Sequence, residues 1–132
     1  MRAVTRNQGF TLIELLVVMM IIVILAGTGT MLYTNSVTKA HEAALLQDLT
    51  VMRRALDDYF ADKNKYPSSL ETLVEEKYLR TIPRDPFTQS ADTWQIELSD
   101  PEPGNPSAEP GVFDVKSGSD RIGINGTPYA EW

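Results

Sequence analysis

A chain of 132 residues with a formal net charge of −6 and no cysteine has room for one small domain and is closed to several chemistries at the outset. Disulfide scaffolds, zinc–thiolate sites and cysteine nucleophiles are excluded, and a single histidine, His41, leaves no second imidazole to share a metal. The acidic balance speaks against a nucleic-acid partner, whose phosphates call for clustered Lys and Arg.

The chain opens on a short basic stretch containing Arg2 and Arg6, followed by Gly9-Phe10-Thr11-Leu12-Ile13-Glu14-Leu15 and an apolar run to about Leu32. At ~1.5 Å per helical residue, Phe10 to Leu32 spans roughly 35 Å, enough to cross a hydrocarbon core of about 30 Å. The ionisable side chain within this run is Glu14. A carboxylate at the centre of a membrane helix costs about 2.5 to 3.5 kcal/mol, so such an acid needs a partner. A cut after Gly9 would supply one, because Phe10 would then carry a free amino group at the depth of a neighbouring subunit's Glu14.

Gly9 to Leu15, preceded by its basic leader, resembles the processing site of type IV pilins and type II secretion pseudopilins. The resemblance implies that a prepilin peptidase cuts after Gly9 and that Phe10 becomes the N-methylated first residue. It also implies that Phe10, Thr11 and Glu14 serve filament assembly. The expected organisation is a leader over 1–9, a membrane and filament-core half-helix over 10–32, and a periplasmic globular domain over 33–132. Loss of Arg2 and Arg6 with the leader would take the charge from −6 to −8. A secretory signal peptide cleaved near Gly27-Thr28-Gly29 would also begin with a basic stretch and an apolar run, and so would a plain membrane anchor. Glu14 interrupts the apolar core that a signal peptide needs, and the run is long for one. Many type IV major pilins close a C-terminal loop with a disulfide, so the lack of cysteine leans the resemblance towards the G-type major pseudopilin. That family usually carries a proline near the position of Met31. Here Gly27 and Gly29 take its place, weakening the helix by ~1 kcal/mol each and predicting a flexible or locally melted patch over Gly27 to Thr30.

From Tyr33 to about Ala61, Val37, His41, Leu45, Leu49, Met52, Leu56 and Tyr59 or Phe60 recur at three- and four-residue steps, predicting one apolar stripe that faces a sheet. Lys39, Glu42, Asp48, Arg53, Arg54, Asp57 and Asp58 fall on the other face and are expected at the solvated surface. Phe10 to Ala61 is thus expected as one long helix, ended by Asn64-Lys65-Tyr66-Pro67. Ser68 and Glu71 predict a capping box for a short helix over Ser69 to Lys77 that buries Leu70, Leu73 and Val74. Asp85, between Pro83 and Pro86, is expected as a turn acid bonded to the local backbone. Leu56-Asp57-Asp58-Tyr59, Tyr66-Pro67, Ile82-Pro83 and Asp85-Pro86-Phe87 are similar to successive landmarks of the G-type pseudopilin.

Trp94-Gln95-Ile96-Glu97-Leu98 alternates, predicting a strand that packs Trp94, Ile96 and Leu98 on the helix. Ser99 to Gly111, with four prolines, is a surface loop, and Val112 to Val115 is a second strand. The tail from Lys116 is rich in oxygen-bearing residues. In G-type pseudopilins the matching loop binds calcium, and Ser117-Gly118-Ser119-Asp120 is similar to its opening, which makes Ser117, Asp120, Asn125 and Glu131 candidate ligands. Arg121 stands where the family usually has glycine, and Thr127 to Glu131 replaces the later acidic pair, so a metal-free loop pinned by Tyr129 and Trp132 is the alternative. The expected fold is α+β and pilin-like: a long N-terminal helix packed on a small antiparallel sheet with loops. The expected role is a structural subunit and no enzyme. It would be stored in the bacterial inner membrane and polymerise with copies of itself into a periplasm-spanning or extracellular filament. Its implied partners are prepilin peptidase, an inner-membrane assembly platform with its ATPase, and minor pseudopilins. A type IV pilus subunit and a membrane-anchored binding domain that does not polymerise are the alternatives.

Overall fold

The computed structural model describes residues 8–100 and 109–132. Most of the leader and the middle of the expected Ser99 to Gly111 loop therefore lie outside the described residues. The elements in chain order are α1 (Leu12–Lys63), α2 (Leu70–Glu75), β1 (Gln95–Leu98), β2 (Val112–Lys116) and a 3-10 turn (Tyr129–Glu131). The two strands form one antiparallel sheet, so the chain has the expected α+β, pilin-like arrangement. It divides into two units, one ending at Val37 and the other beginning at Thr38.

In the first unit α1 begins at Leu12, two residues later than expected, because Thr11 serves as its N-terminal cap and leaves Phe10 outside the helix. The predicted melting over Gly27 to Thr30 does not occur. No proline removes a backbone donor there, and the Thr28 hydroxyl donates to the carbonyls of Ile24 (3.2 Å) and Leu25 (3.1 Å) while Thr30 donates to that of Gly27 (2.9 Å). A methyl group built on Gly27 or Gly29 meets nothing within 4 Å. Among the described residues one helix is long and apolar enough to cross a membrane, and none of its 18-residue apolar window is buried.

In the second unit the apolar stripe of α1 is Leu45, Leu49, Met52, Ala55, Leu56 and Tyr59, all buried. It meets Leu70 and Leu73 of α2, Leu79, Trp94, Val112 and Val115 of β2, and Tyr129. Each fully buried Leu, Met or Val contributes roughly 1.5 to 3 kcal/mol of transfer free energy. Val37 is half-buried and His41 is exposed, so the buried stripe starts at Leu45, about two turns later than the periodicity suggests. Asn64 in the left-handed region (φ +53°) ends α1, its N–H bonding the Phe60 carbonyl at 2.8 Å.

The short helix corrects the predicted capping box. Its N-terminal cap is Ser69 and not Ser68, neither serine caps a backbone N–H, and both hydroxyls bond Thr72 Oγ1 instead, at 3.2 and 3.3 Å. Its end is a Schellman motif: the Tyr78 N–H reaches the Leu73 carbonyl (2.9 Å) and the Lys77 N–H that of Val74 (3.2 Å), with Lys77 at φ +66°.

The predicted inward face of β1 is also corrected. Trp94 is buried and donates its Nε1–H to the Pro83 carbonyl at 2.8 Å, but Ile96 and Leu98 are 46% and 53% exposed. β2 supplies the buried valines, and β1 lies at the margin of a two-stranded sheet. Glu97 pairs with Asp114 and Leu98 with Val112, which leaves Phe113 as the extra residue of a bulge. Its ring meets Tyr66 edge-on at 6.1 Å.

Candidate functional site

The first candidate region is the start of α1. Gln8, Gly9, Phe10 and Thr11 are exposed and outside regular structure, and Phe10 is 85% exposed. The Glu14 N–H donates to Thr11 Oγ1 at 3.2 Å and the Leu15 N–H to the Thr11 carbonyl at 3.1 Å. The Thr11 hydroxyl therefore satisfies one of the donors that any helix start leaves open, and its carbonyl accepts the first bond of the helix itself. Glu14 falls in the first turn, where an acid also complements the positive end of the helix dipole. Its charge within an apolar run marks Glu14 in the sequence, whereas the capping role of Thr11 was not among the expectations. The Thr-x-x-Glu spacing ahead of an apolar stretch is the signal that points to it. The Gly9–Phe10 bond thus stands in open, non-helical backbone beside a helix that presents most of Leu12 to Leu32 as exposed apolar surface.

The second region is the C-terminal loop. Its first candidate ligand, Ser117, is fully buried and donates its hydroxyl to Asp85 Oδ2, while its oxygen accepts the Ser119 N–H at 3.2 Å. Asp85 is the expected turn acid and more: Oδ1 accepts the N–H groups of Phe87 (2.8 Å) and Thr88 (3.4 Å), and Oδ2 also accepts that of Gly118 (3.2 Å). Its charge, after the larger effect of partial burial, raises the carboxyl pKa of Asp48. Asn125 Oδ1 accepts from both the N–H (3.1 Å) and the hydroxyl (2.8 Å) of Thr127. Asp120 and Glu131 are exposed.

Calcium takes six to eight oxygen ligands, several of them carboxylates. Among the described residues no three acidic or histidine side chains come together to hold a metal. Ser117 and Asn125 are already engaged, and Arg121 places a guanidinium 5.5 Å from the Phe87 ring beside the loop. Among the described residues, Ser117, Asp120, Asn125 and Glu131 thus form no carboxylate cluster of the kind calcium takes.

What holds the loop are two side chains of α1 that were expected at the solvated surface. Glu42 Oε1 accepts the Ile124 N–H at 2.7 Å and the Tyr129 hydroxyl at 2.9 Å. Arg53 bonds Asp114 Oδ1 (2.7 Å) and the carbonyls of Val115 (3.0 Å) and Trp132 (2.8 Å). Tyr129 stacks on Phe87 with centroids 3.9 Å apart and meets Trp132 edge-on at 5.0 Å, so both aromatics pack where the loop was expected to be pinned. Burial, with the Glu42 hydrogen bond second, pushes the Tyr129 hydroxyl pKa up to about 12. No sequence signal distinguishes Glu42 and Arg53 from the other charges on α1.

Residues 4–30 match the prokaryotic N-terminal methylation motif, which, with the α+β fold and an exposed apolar helix start, places the chain among pilin-like proteins. The chain is 33% identical over 103 residues to type II secretion system core protein G of Escherichia coli K12, covering 66% of this chain and 71% of that protein. It is 32% identical over 98 residues to the protein of that name in Klebsiella pneumoniae (62% and 70% covered) and 30% identical over 102 residues to that of Vibrio cholerae (66% and 70%). The chain belongs to the type II secretion system core protein G family. No solved structure gives a significant match.

Proposed function

We propose that the chain is a structural subunit that polymerises into a type II secretion pseudopilus and so drives protein export across the outer membrane. Relatives named as core proteins of that secretion system support this role, as does the match to the N-terminal methylation motif. The observation that carries it is the open Gly9–Phe10 bond beside a capped apolar helix with a lone acid in its first turn. The bond that a prepilin peptidase would cut lies outside the helix, in exposed backbone. The subunit is anchored in the inner membrane by its apolar helix and enters the filament by way of the assembly platform and its ATPase, with minor pseudopilins at the tip. In the filament Glu14 pairs with the amino group of a neighbouring Phe10. The low dielectric there strengthens the pair and makes loss of either partner costly. Burial of Leu12 to Leu25 against neighbouring helices adds most of the cohesion.

Mass spectrometry of the mature N-terminus tests the proposal, with N-methylated Phe10 as the expected first residue. A chain that starts after Gly29, or that keeps Met1, would overturn it. Deletion of the gene is expected to abolish export of secreted proteins. Loss of surface fibres with export intact would instead identify a type IV pilus subunit.

A further inference from the structure

We infer that Glu42 does in this chain what a bound cation would otherwise do for the C-terminal loop: it closes the loop onto α1, with Arg53 as the second clasp, and the loop takes no calcium. One carboxylate oxygen of Glu42 gathers two groups from opposite ends of the turn, the N–H of Ile124 and the hydroxyl of Tyr129. Charge-assisted bonds of this kind are roughly twice as strong as neutral ones.

Three further observations point the same way. First, the turn is closed by its own backbone: Gly123 N–H to Thr127 O (2.8 Å), Gly126 N–H to Gly123 O (2.9 Å) and Tyr129 N–H to Arg121 O (3.0 Å). Gly126 sits at φ +84°, a geometry that needs no metal to hold it. Second, the side-chain oxygens of Thr127 and Asn125 are taken in a chain, since Trp132 Nε1–H donates to Thr127 Oγ1 (2.8 Å), which donates to Asn125 Oδ1. Third, the cation already present is Arg121, lying over the Phe87 ring that Tyr129 stacks on. A divalent ion there would face a guanidinium and the already occupied oxygens of Thr127 and Asn125. Glu42 and Arg53 are positioning residues, acting through the loop they hold.

The test is thermal unfolding of the full chain in detergent micelles, followed by near-ultraviolet circular dichroism of its tryptophans, in excess EDTA and in excess calcium chloride. The expected midpoints coincide. A rise with calcium, abolished by Asp120→Asn, would overturn the inference. Glu42→Ala is expected to lower the midpoint by at least about 4 °C in both buffers, and Glu42→Gln, which keeps one acceptor oxygen, by less. An unchanged midpoint for Glu42→Ala would show that the clasp is not Glu42. Should that variant fail to fold, the wild-type comparison between EDTA and calcium still decides whether a metal is used. None of these readouts depends on filament formation, so failure here leaves the proposed function untouched.

Discussion

Asp85→Asn should cost this protein far more than a neutral isosteric swap at a turn. Asp85 is fully buried, and its carboxylate accepts from four donors: Phe87 and Thr88 N–H on one oxygen, Ser117 hydroxyl and Gly118 N–H on the other. An amide has one acceptor oxygen. If that oxygen stays with Phe87, the new NH2 group faces the Gly118 N–H, and the Ser117 hydroxyl must turn to accept although it already accepts from Ser119. A buried donor left without a partner costs about 1 to 3 kcal/mol, and a hydrogen bond to a charged group contributes about 1.5 to 3. Loss of the charge relieves Asp48, whose pKa it raises, so the lower part of the combined range applies. The expected loss is about 2.5 to 4 kcal/mol, which for a unit of roughly a hundred residues lowers the melting midpoint by at least about 10 °C. The assay is thermal unfolding of the full chain in micelles by near-ultraviolet circular dichroism, because the far-ultraviolet signal is dominated by α1. A midpoint within about 2 °C of wild type would refute the claim that this carboxylate organises the junction between the Pro83 turn and the C-terminal loop.

Gly118→Ala should destabilise the same junction by about 1 to 3 kcal/mol. The new methyl carbon would lie 1.9 Å from the Thr93 carbonyl oxygen, and a wild-type melting curve would count against that packing. Alkaline titration should weaken the fold as pH rises. Tyr129 and Tyr78 are both pushed up to about 12, by burial and by a hydrogen bond to Asp62 respectively, from an ordinary value near 10. The folded chain therefore holds protons that the unfolded chain releases, and stability present below pH 10 is lost between about 10 and 12. Tyr129→Phe should flatten that slope, and an unchanged slope would contradict the assignment. Glu14→Ala should leave cleavage after Gly9 largely intact yet stop efficient filament assembly. Normal filaments from that variant would remove the proposed pairing with Phe10.

The long helix, its membrane length and the lone acid near its start were legible in the sequence because each depends on local properties. A 3.6-residue period, a long apolar run and a charge within it do not need distant partners to be recognised. For the same reason the core stripe from Leu45 to Tyr59, the strand at Val112 and the turn role of Asp85 agree with the structure. Alternation misled at Ile96 and Leu98, since an alternating pattern says which side chains share a face and not whether anything covers that face. Glycine propensity misled at Gly27 to Thr30, where threonine hydroxyls and an intact set of backbone donors keep α1 helical. Only the tertiary structure could decide that Glu42 and Arg53 are clasps and that Ser117 and Asn125 are occupied. The bonds of Glu42, Arg53 and Ser117 join residues tens of positions apart, and no local pattern records which charge on a helix face will meet a returning loop.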